Sequence, residues 1–153
     1  MSRVPTSIVL ALLVLLTASL LPPAPAAASE TADQAASLFV NLTSDELNRA
    51  AMAIFLATHV RTEREIPVTI FLNVEGARLA GRELPQNTYV DGETLAEKLQ
   101  AFLSAGGRVI VCPMCMRNVA GLEPADLHPG IEVGESHVTL PAMLAPGVKI
   151  LSY

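Results

Sequence analysis

Two cysteines separated by two residues are the clearest chemical feature of this sequence. Cys112 and Cys115 are the only cysteines in the chain. They follow Arg108–Val111, whose composition is typical of a buried strand, and they precede Met116–Ala120, which is predicted to form a short helix. A thiol between a strand end and a helix start lies close to free backbone N–H groups and the positive end of the helix dipole, which lower a cysteine pKa. The pair therefore indicates thiolate chemistry.

The two thiols are predicted to have different roles. Cys112, at the strand end, is the candidate nucleophile, and Cys115 is the resolving or assisting thiol, because one thiolate can attack a mixed disulfide or persulfide on the other. A disulfide between them would close a very small loop, and the stabilisation from a disulfide falls as its loop shortens. We therefore interpret the pair as a reactive site. A pair of inert, half-buried thiols or an unreactive disulfide is the alternative.

Soft-metal binding is a second possible use of the same segment. Met114 and Met116 bring the number of sulfur atoms within five residues to four, an environment suited to Cu(I). A zinc site usually needs two further Cys or His ligands. No spacing rule connects His128 or His137 to the cysteines, and each is interpreted as a surface-loop residue. The sequence therefore assigns no metal and no cofactor.

The first 28 residues have the features of a secretory signal peptide. Arg3 supplies a positive charge, residues 8–21 are almost wholly apolar, and Ala26–Ala28 fits the small-residue pattern of a cleavage site. The apolar run is shorter than the roughly 20 residues that span a bilayer. We expect an exported, periplasmic protein, cleaved near Ala28, with no stable membrane insertion afterwards. An uncleaved membrane anchor is the alternative.

Residues 29–153 have the length of one domain. The formal net charge of the chain is −5, and the sequence contains no run of basic residues. Because phosphate binding requires a surface of Lys and Arg, no nucleic-acid partner is expected.

Strand-like and helix-like segments alternate along this domain. Near-continuous apolar strands alternating with amphipathic helices predict an α/β fold with a parallel sheet covered on both faces. The predicted strands are Ala36–Leu42, Ile66–Leu72, Arg108–Val111, Ile131–Val133 and Val148–Tyr153, and the predicted helices are Asp45–Arg61, Thr94–Ser104 and Leu140–Leu144, with a short turn or helix at Glu75–Ala80.

Ligands of such folds gather beyond the carboxyl ends of the strands. The loops at Asn41–Ser44, Asn73–Gly76 and Cys112–Met116 are all expected to open at that edge of the sheet. The sequence therefore predicts that the cysteine pair lies beside two other loops.

Several of these segments resemble the DsrE/DsrF-like family, and the likeness extends over nearly all of residues 29–153. The segments that carry it are Phe39–Ser44, Ile70–Gly76, Val109–Cys115, Gly121–Leu122 and Asp126–Leu127. The resemblance implies a three-layer α/β/α fold with a mainly parallel sheet of about five strands, and assembly into homo-oligomers, often trimers or hexamers. It also implies sulfur handling through a cysteine persulfide, a role that carries over to Cys112 and less directly to Cys115.

The function predicted from the sequence is therefore the handling of sulfane sulfur, or thiol–disulfide exchange, through Cys112 and Cys115. Such a persulfide carrier has sulfurtransferase-like chemistry, and its partners are a donor or acceptor protein or a small sulfur compound. A Cu(I) or zinc module, or an oligomeric binding protein with no cysteine chemistry, is the alternative.

Overall fold

Five strands form one sheet in the computed structural model, which describes residues 36–153. The predicted signal peptide, residues 1–28, lies outside the described residues. The strands are β1 (Ser37–Leu42), β2 (Val68–Leu72), β3 (Arg108–Val111), β4 (Ile131–Val133) and β5 (Val148–Ser152). Their order is β4-β3-β2-β1-β5, and every neighbouring pair is parallel. The predicted α/β fold with a five-stranded parallel sheet is confirmed.

Four α-helices and two short 3₁₀ helices connect the strands. The α-helices are α1 (Leu47–Arg64), α2 (Leu95–Ser104), α3 (Pro113–Asn118) and α4 (Ser136–Leu144), and the 3₁₀ helices are Val74–Ala80 and Pro124–Asp126. The start of α1 is fixed by the Glu46 carboxylate, which accepts hydrogen bonds from the N–H groups of Asn48 and Arg49. Thr94 and Glu97 form a capping box at the start of α2.

The two faces of the sheet are covered by different helices. Leu38, Val40 and Leu42 of β1 point to the face on which α1, α2 and α3 build the main apolar core. Phe39 points to the opposite face, because side chains alternate along a strand. From β1 to β4 the chain moves in one direction across the sheet, and α4 brings it back to β5. Since parallel crossovers are right-handed, this reversal places α4 on the second face and completes three layers.

The parallel register brings three loops to one edge. Leu42 pairs with Leu72, and Leu72 pairs with Val111, so β1, β2 and β3 end level with one another. The loops that follow these strands therefore emerge together at the carboxyl edge, as the sequence predicts.

The helices occur where they are predicted, but their boundaries differ: α1 ends at Arg64 rather than Arg61, and two helices begin well before the predicted residue. The helix after β3 begins at Pro113 rather than Met116, because proline is favoured at the first helical position and Cys112 can serve as the cap. The second cysteine therefore lies inside the helix. The α4 helix begins at Ser136, four residues earlier than predicted. Within residues 36–153, none of the helices combines the length and the apolar character needed to cross a membrane.

A glycine fastens the loop after β2 against the end of β1. The Gly76 N–H donates to the Thr43 carbonyl at 3.2 Å. A Cβ atom on Gly76 would overlap the carbonyl oxygen of Leu42, which is backbone and cannot rotate away. Only glycine permits this close approach.

We expect Gly76→Ala to lower the free energy of unfolding by about 2–3 kcal/mol, because the added methyl group overlaps a fixed carbonyl. Urea unfolding followed by circular dichroism measures the change. Gly92→Ala is the matched control: Gly92 has a φ of 90°, but its added Cβ meets nothing within 4 Å, so only the left-handed backbone is penalised, by about 1 kcal/mol. Equal losses for the two variants would contradict the close-approach argument.

Candidate functional site

Cys112 is held at the carboxyl end of β3 by its backbone. Its N–H donates to the Leu72 carbonyl at 2.9 Å, which continues the β2–β3 hydrogen bonding one residue beyond the strand. Its carbonyl accepts from the Met116 N–H at 2.8 Å and begins α3. The residue is extended, with φ −60° and ψ 121°, and its side chain is half-buried. Both backbone groups are fixed while the thiol stays accessible.

The Cys112 sulfur is positioned to accept hydrogen bonds from Cys115. The Cys115 N–H, which has no partner inside the helix at this position, donates to Cys112 Sγ at 3.5 Å. The Cys115 thiol is also within hydrogen-bonding reach of Cys112. Both cysteines are free thiols, and they lie close together. The predicted pairing of the two thiols is therefore present in the structure.

Burial separates the chemistry of Cys115 from that of Cys112. Cys115 is 9% exposed and belongs to the main apolar core. Burial raises the pKa of the Cys115 thiol, and its hydrogen bond to Cys112 and the negative charge of Glu75 raise this pKa further. The backbone of Val74 acts in the opposite direction and lowers it. Cys115 is therefore protonated at neutral pH and can donate to Cys112.

The two methionines of the segment occupy opposite environments. Met116 is fully buried in the core, whereas Met114 is 62% exposed and faces away from it. His128 is half-buried, and burial together with the charge of Arg82 lowers the pKa of its imidazole. Among residues 36–153, no group of three or more Cys, His, Asp or Glu side chains is placed to hold a metal ion.

The 3₁₀ helix after β2 forms the second wall of the site. Val74, its first residue, has a φ of 49°, which is rare for a β-branched side chain. Such strained conformations are found preferentially at functional sites. Glu75 follows, and its carboxylate acts on the Cys115 thiol. Sequence reasoning placed this loop at the correct edge but gave Val74 and Glu75 no role, because valine carries no signal for a left-handed conformation.

Polar side chains tie the ends of the neighbouring strands together. Asn73 Nδ2 donates to Asn41 Oδ1, and Asn41 Nδ2 donates to Ser152 Oγ at 3.3 Å. The Thr43 hydroxyl donates to the Tyr153 carbonyl at 2.6 Å. These contacts join β1, β2 and β5 at their carboxyl ends. The edge that carries the cysteines is therefore a fixed surface.

The cysteine pair lies beside a switch point in the connections between the strands. After β3 the chain turns to the face that carries α3, whereas after the adjacent β4 it turns to the face that carries α4. Ligands of open α/β sheets bind at such switch points, beyond the strand ends. Cys112 follows β3 directly and so borders this switch point.

A well-formed cavity lies elsewhere among the described residues. It has a volume of about 370 Å³, is formed by α1, α2 and the segment before α2, and contains Phe55, Tyr89 and Lys98 but neither cysteine. The functional groups of the cysteine pair converge, whereas Lys98 in the cavity is already paired with Asp91 and Glu93.

Comparison with known proteins gives a likeness of fold only. No protein-family model matches this sequence, and no curated protein matches it. Among solved structures, the ychN protein from E. coli is 17% identical with a TM-score of 0.62, over 77% of this chain and 98% of its own. The MTH1491 protein of unknown function from Methanobacterium thermoautotrophicum is 13% identical with a TM-score of 0.62, over 77% of this chain and 99% of its own. This chain is therefore similar to both in fold, which is the DsrE-like α/β fold that the sequence predicts.

Proposed function

We propose that this protein is exported, loses its leader near Ala28, and handles sulfane sulfur or exchanges disulfides in the periplasm through Cys112 and Cys115. The observation that carries the proposal is the unequal pair: a half-buried Cys112 sulfur that accepts from the Cys115 N–H, beside a Cys115 thiol that burial keeps protonated. The DsrE-like fold is consistent with this proposal.

The transfer step needs no external oxidant or reductant. The Cys112 thiolate attacks the terminal sulfur of a donor persulfide, R–S–SH. A new S–S bond forms on Cys112, the S–S bond of the donor breaks, and R–S⁻ leaves. The proton of the terminal sulfur travels with it, so that Cys112 carries –S–SH.

Cys115 determines how long this persulfide survives. A Cys115 thiolate would attack Cys112 Sγ, form the disulfide and release HS⁻, so that the sulfane sulfur is reduced while the two cysteines are oxidised. Because burial and Glu75 raise the Cys115 pKa, few thiolates are present at neutral pH and this loss is slow. The environment of Cys115 thus favours a carrier over rapid sulfide release.

Replacing the nucleophile abolishes loading in this mechanism. After exposure to a persulfide donor and rapid alkylation, we expect the isolated protein to gain about 32 Da, the mass of one sulfur atom, and we expect Cys112→Ser to gain none. Intact mass spectrometry with peptide mapping measures both results, and the same mass reports whether residues 1–28 have been removed. Cys115→Ser is the control and still gains one sulfur. An added sulfur retained in Cys112→Ser would disprove the assignment.

The raised Cys115 pKa also predicts a pH dependence. Once loaded, Cys112 persulfide is expected to persist at pH 7 and to release sulfide faster as the pH rises, by about tenfold per unit while the Cys115 thiolate fraction grows. Sulfide release measured across a pH series tests this rise. Cys115→Ser removes the attacking thiolate, so the rate of sulfide release from this variant is expected to stay constant across the pH series. A rise of the same size in that variant would contradict the proposed role of Cys115.

We also propose that the protein assembles as a homo-oligomer, a trimer or hexamer. Four large apolar side chains are exposed on α4 and the adjacent edge strand β5: Leu140, Leu144, Ile150 and Leu151. β5 pairs only with β1, so its outer edge is open. A second copy of the chain covers both features.

Light scattering of the isolated protein tests this assembly. We expect a mass of three or six chains, and we expect Leu144→Lys to reduce it because a charge is placed in an apolar interface. Leu144 is 68% exposed, so the lysine does not enter the core. Val90→Lys, at a 91% exposed site on the segment before α2, is the matched control and keeps the assembly. A monomeric parent protein would refute the proposal.

A further inference from the structure

A small polar pocket lies beside the 3₁₀ helix that walls the cysteine site. We propose that this pocket, formed by Asp45, Arg78, Gln86 and Asn87, binds the amino-acid end of a short peptidic thiol whose persulfide delivers sulfur to Cys112. The inference rests on the proposed function, because it names the substrate class of the same site.

The pocket has the size and lining of a binding site for a small polar group. Its volume is about 140 Å³, room for several water-sized groups. The four polar side chains share it with four apolar ones, those of Leu79, Leu84, Pro85 and Leu95. Asp45 comes from the loop after β1 and Arg78 from the 3₁₀ helix after β2, so the pocket opens at the carboxyl edge.

Opposite charges face each other in the pocket. Arg78 Nη1 donates to Asp45 Oδ2 at 3.1 Å, and the two side chains remain 45% and 37% exposed. This one bond uses one of five guanidinium N–H donors and one of two carboxylate oxygens. The remaining donors of Arg78 can bind a carboxylate in a fork, and the free oxygen of Asp45 can accept from an ammonium group. A zwitterion satisfies both.

An unpaired acceptor supports the ammonium position. The Gln86 side-chain oxygen is buried and has no hydrogen-bond partner within the described residues. A buried amide oxygen without a donor is unfavourable, and an ammonium group supplies three donors. Asp45 and Gln86 are both among the residues that line this pocket. The negative charge of Asp45 also disfavours an inorganic dianion such as phosphate or thiosulfate.

The 3₁₀ helix connects the pocket to the thiols. Side chains at i and i+3 are eclipsed in a 3₁₀ helix, so Glu75 and Arg78 lie on one side of it, about 6 Å apart along the axis at 2.0 Å per residue. Glu75 is close enough to Cys115 for its charge to raise the thiol pKa. An extended peptide of three residues spans about 10 Å. A short peptidic thiol anchored at Arg78 is therefore longer than the spacing between Arg78 and Glu75, the residue whose charge acts on Cys115.

Two sulfur donors test the pocket assignment and the carrier function independently. Glutathione persulfide carries an amino-acid end, whereas inorganic polysulfide carries none. We measure the second-order rate constant of sulfur loading on Cys112 with each donor, by quenched intact mass spectrometry. Arg78→Ala is expected to slow loading from glutathione persulfide about tenfold or more, because a charge-assisted bond is lost, and to leave loading from polysulfide unchanged.

Matched variants show whether the effect belongs to the pocket. Arg49→Ala removes the same charge from the first turn of α1, outside the pocket lining, and is expected to leave both rate constants unchanged. Asp45→Asn keeps the shape but loses the anion, and is expected to slow only glutathione persulfide. Exposed ion pairs contribute little to stability, so these variants should fold, and thermal unfolding checks that they do.

Each result decides between the two proposals. Loading that slows equally with both donors in Arg78→Ala, or does not slow at all, overturns the pocket assignment and leaves the carrier function intact. Loading of the parent protein from polysulfide but not from glutathione persulfide likewise overturns the pocket assignment and leaves the carrier function intact. If neither donor loads Cys112, the carrier function fails and the pocket assignment fails with it.

Discussion

The hydrogen bond from the Cys112 N–H to the Leu72 carbonyl is the contact on which the site depends. It extends the parallel pairing of β2 and β3 by one residue and fixes Cys112 level with the end of β2. The chain after β2 must then pass beside the chain after β3, which brings Val74 and Glu75 against Cys115. The same register aligns β1, so that Gly76 can approach the end of that strand. One ladder position thereby sets the geometry of three loops.

The chemical difference between the two thiols follows from where α3 begins. With Pro113 at the first helical position, Cys112 becomes the cap at the protein surface, and Cys115 lies one turn further along, on the side that faces the core. Two identical side chains therefore receive different solvation. Burial keeps the proton on Cys115, and its N–H and thiol both point towards the Cys112 sulfur. A helix starting three residues later, as the sequence suggested, would have left both thiols in a loop without this asymmetry.

Local pattern and strand ends could be predicted from the sequence, whereas contacts between distant segments could not. Arg108–Val111 forms a strand as predicted, because a short apolar segment directly after Gly106-Gly107 favours a buried strand. The shared edge of the three loops follows from the parallel pairing of the strands. The φ of Val74 gives no sequence signal, since its side chain normally avoids that conformation. The ion pair of Asp45 with Arg78 joins residues 33 positions apart, so it exists only once β1 and β2 are paired. Such contacts depend on tertiary structure rather than on any local pattern.

The topology explains why this strand end, among five, is suited to carry the reactive thiol. β1 and β2 are both followed by segments on the α1 face, and polar contacts among Asn41, Asn73 and Ser152 join the carboxyl ends of β1, β2 and β5. Only between β3 and β4, among the described strands, do the following segments leave towards opposite faces. A group at the end of β3 is consequently open to a reactant on one side and supported by Val74–Ala80 on the other. A nucleophile placed after β1 would instead face the side chains that already bind one another there.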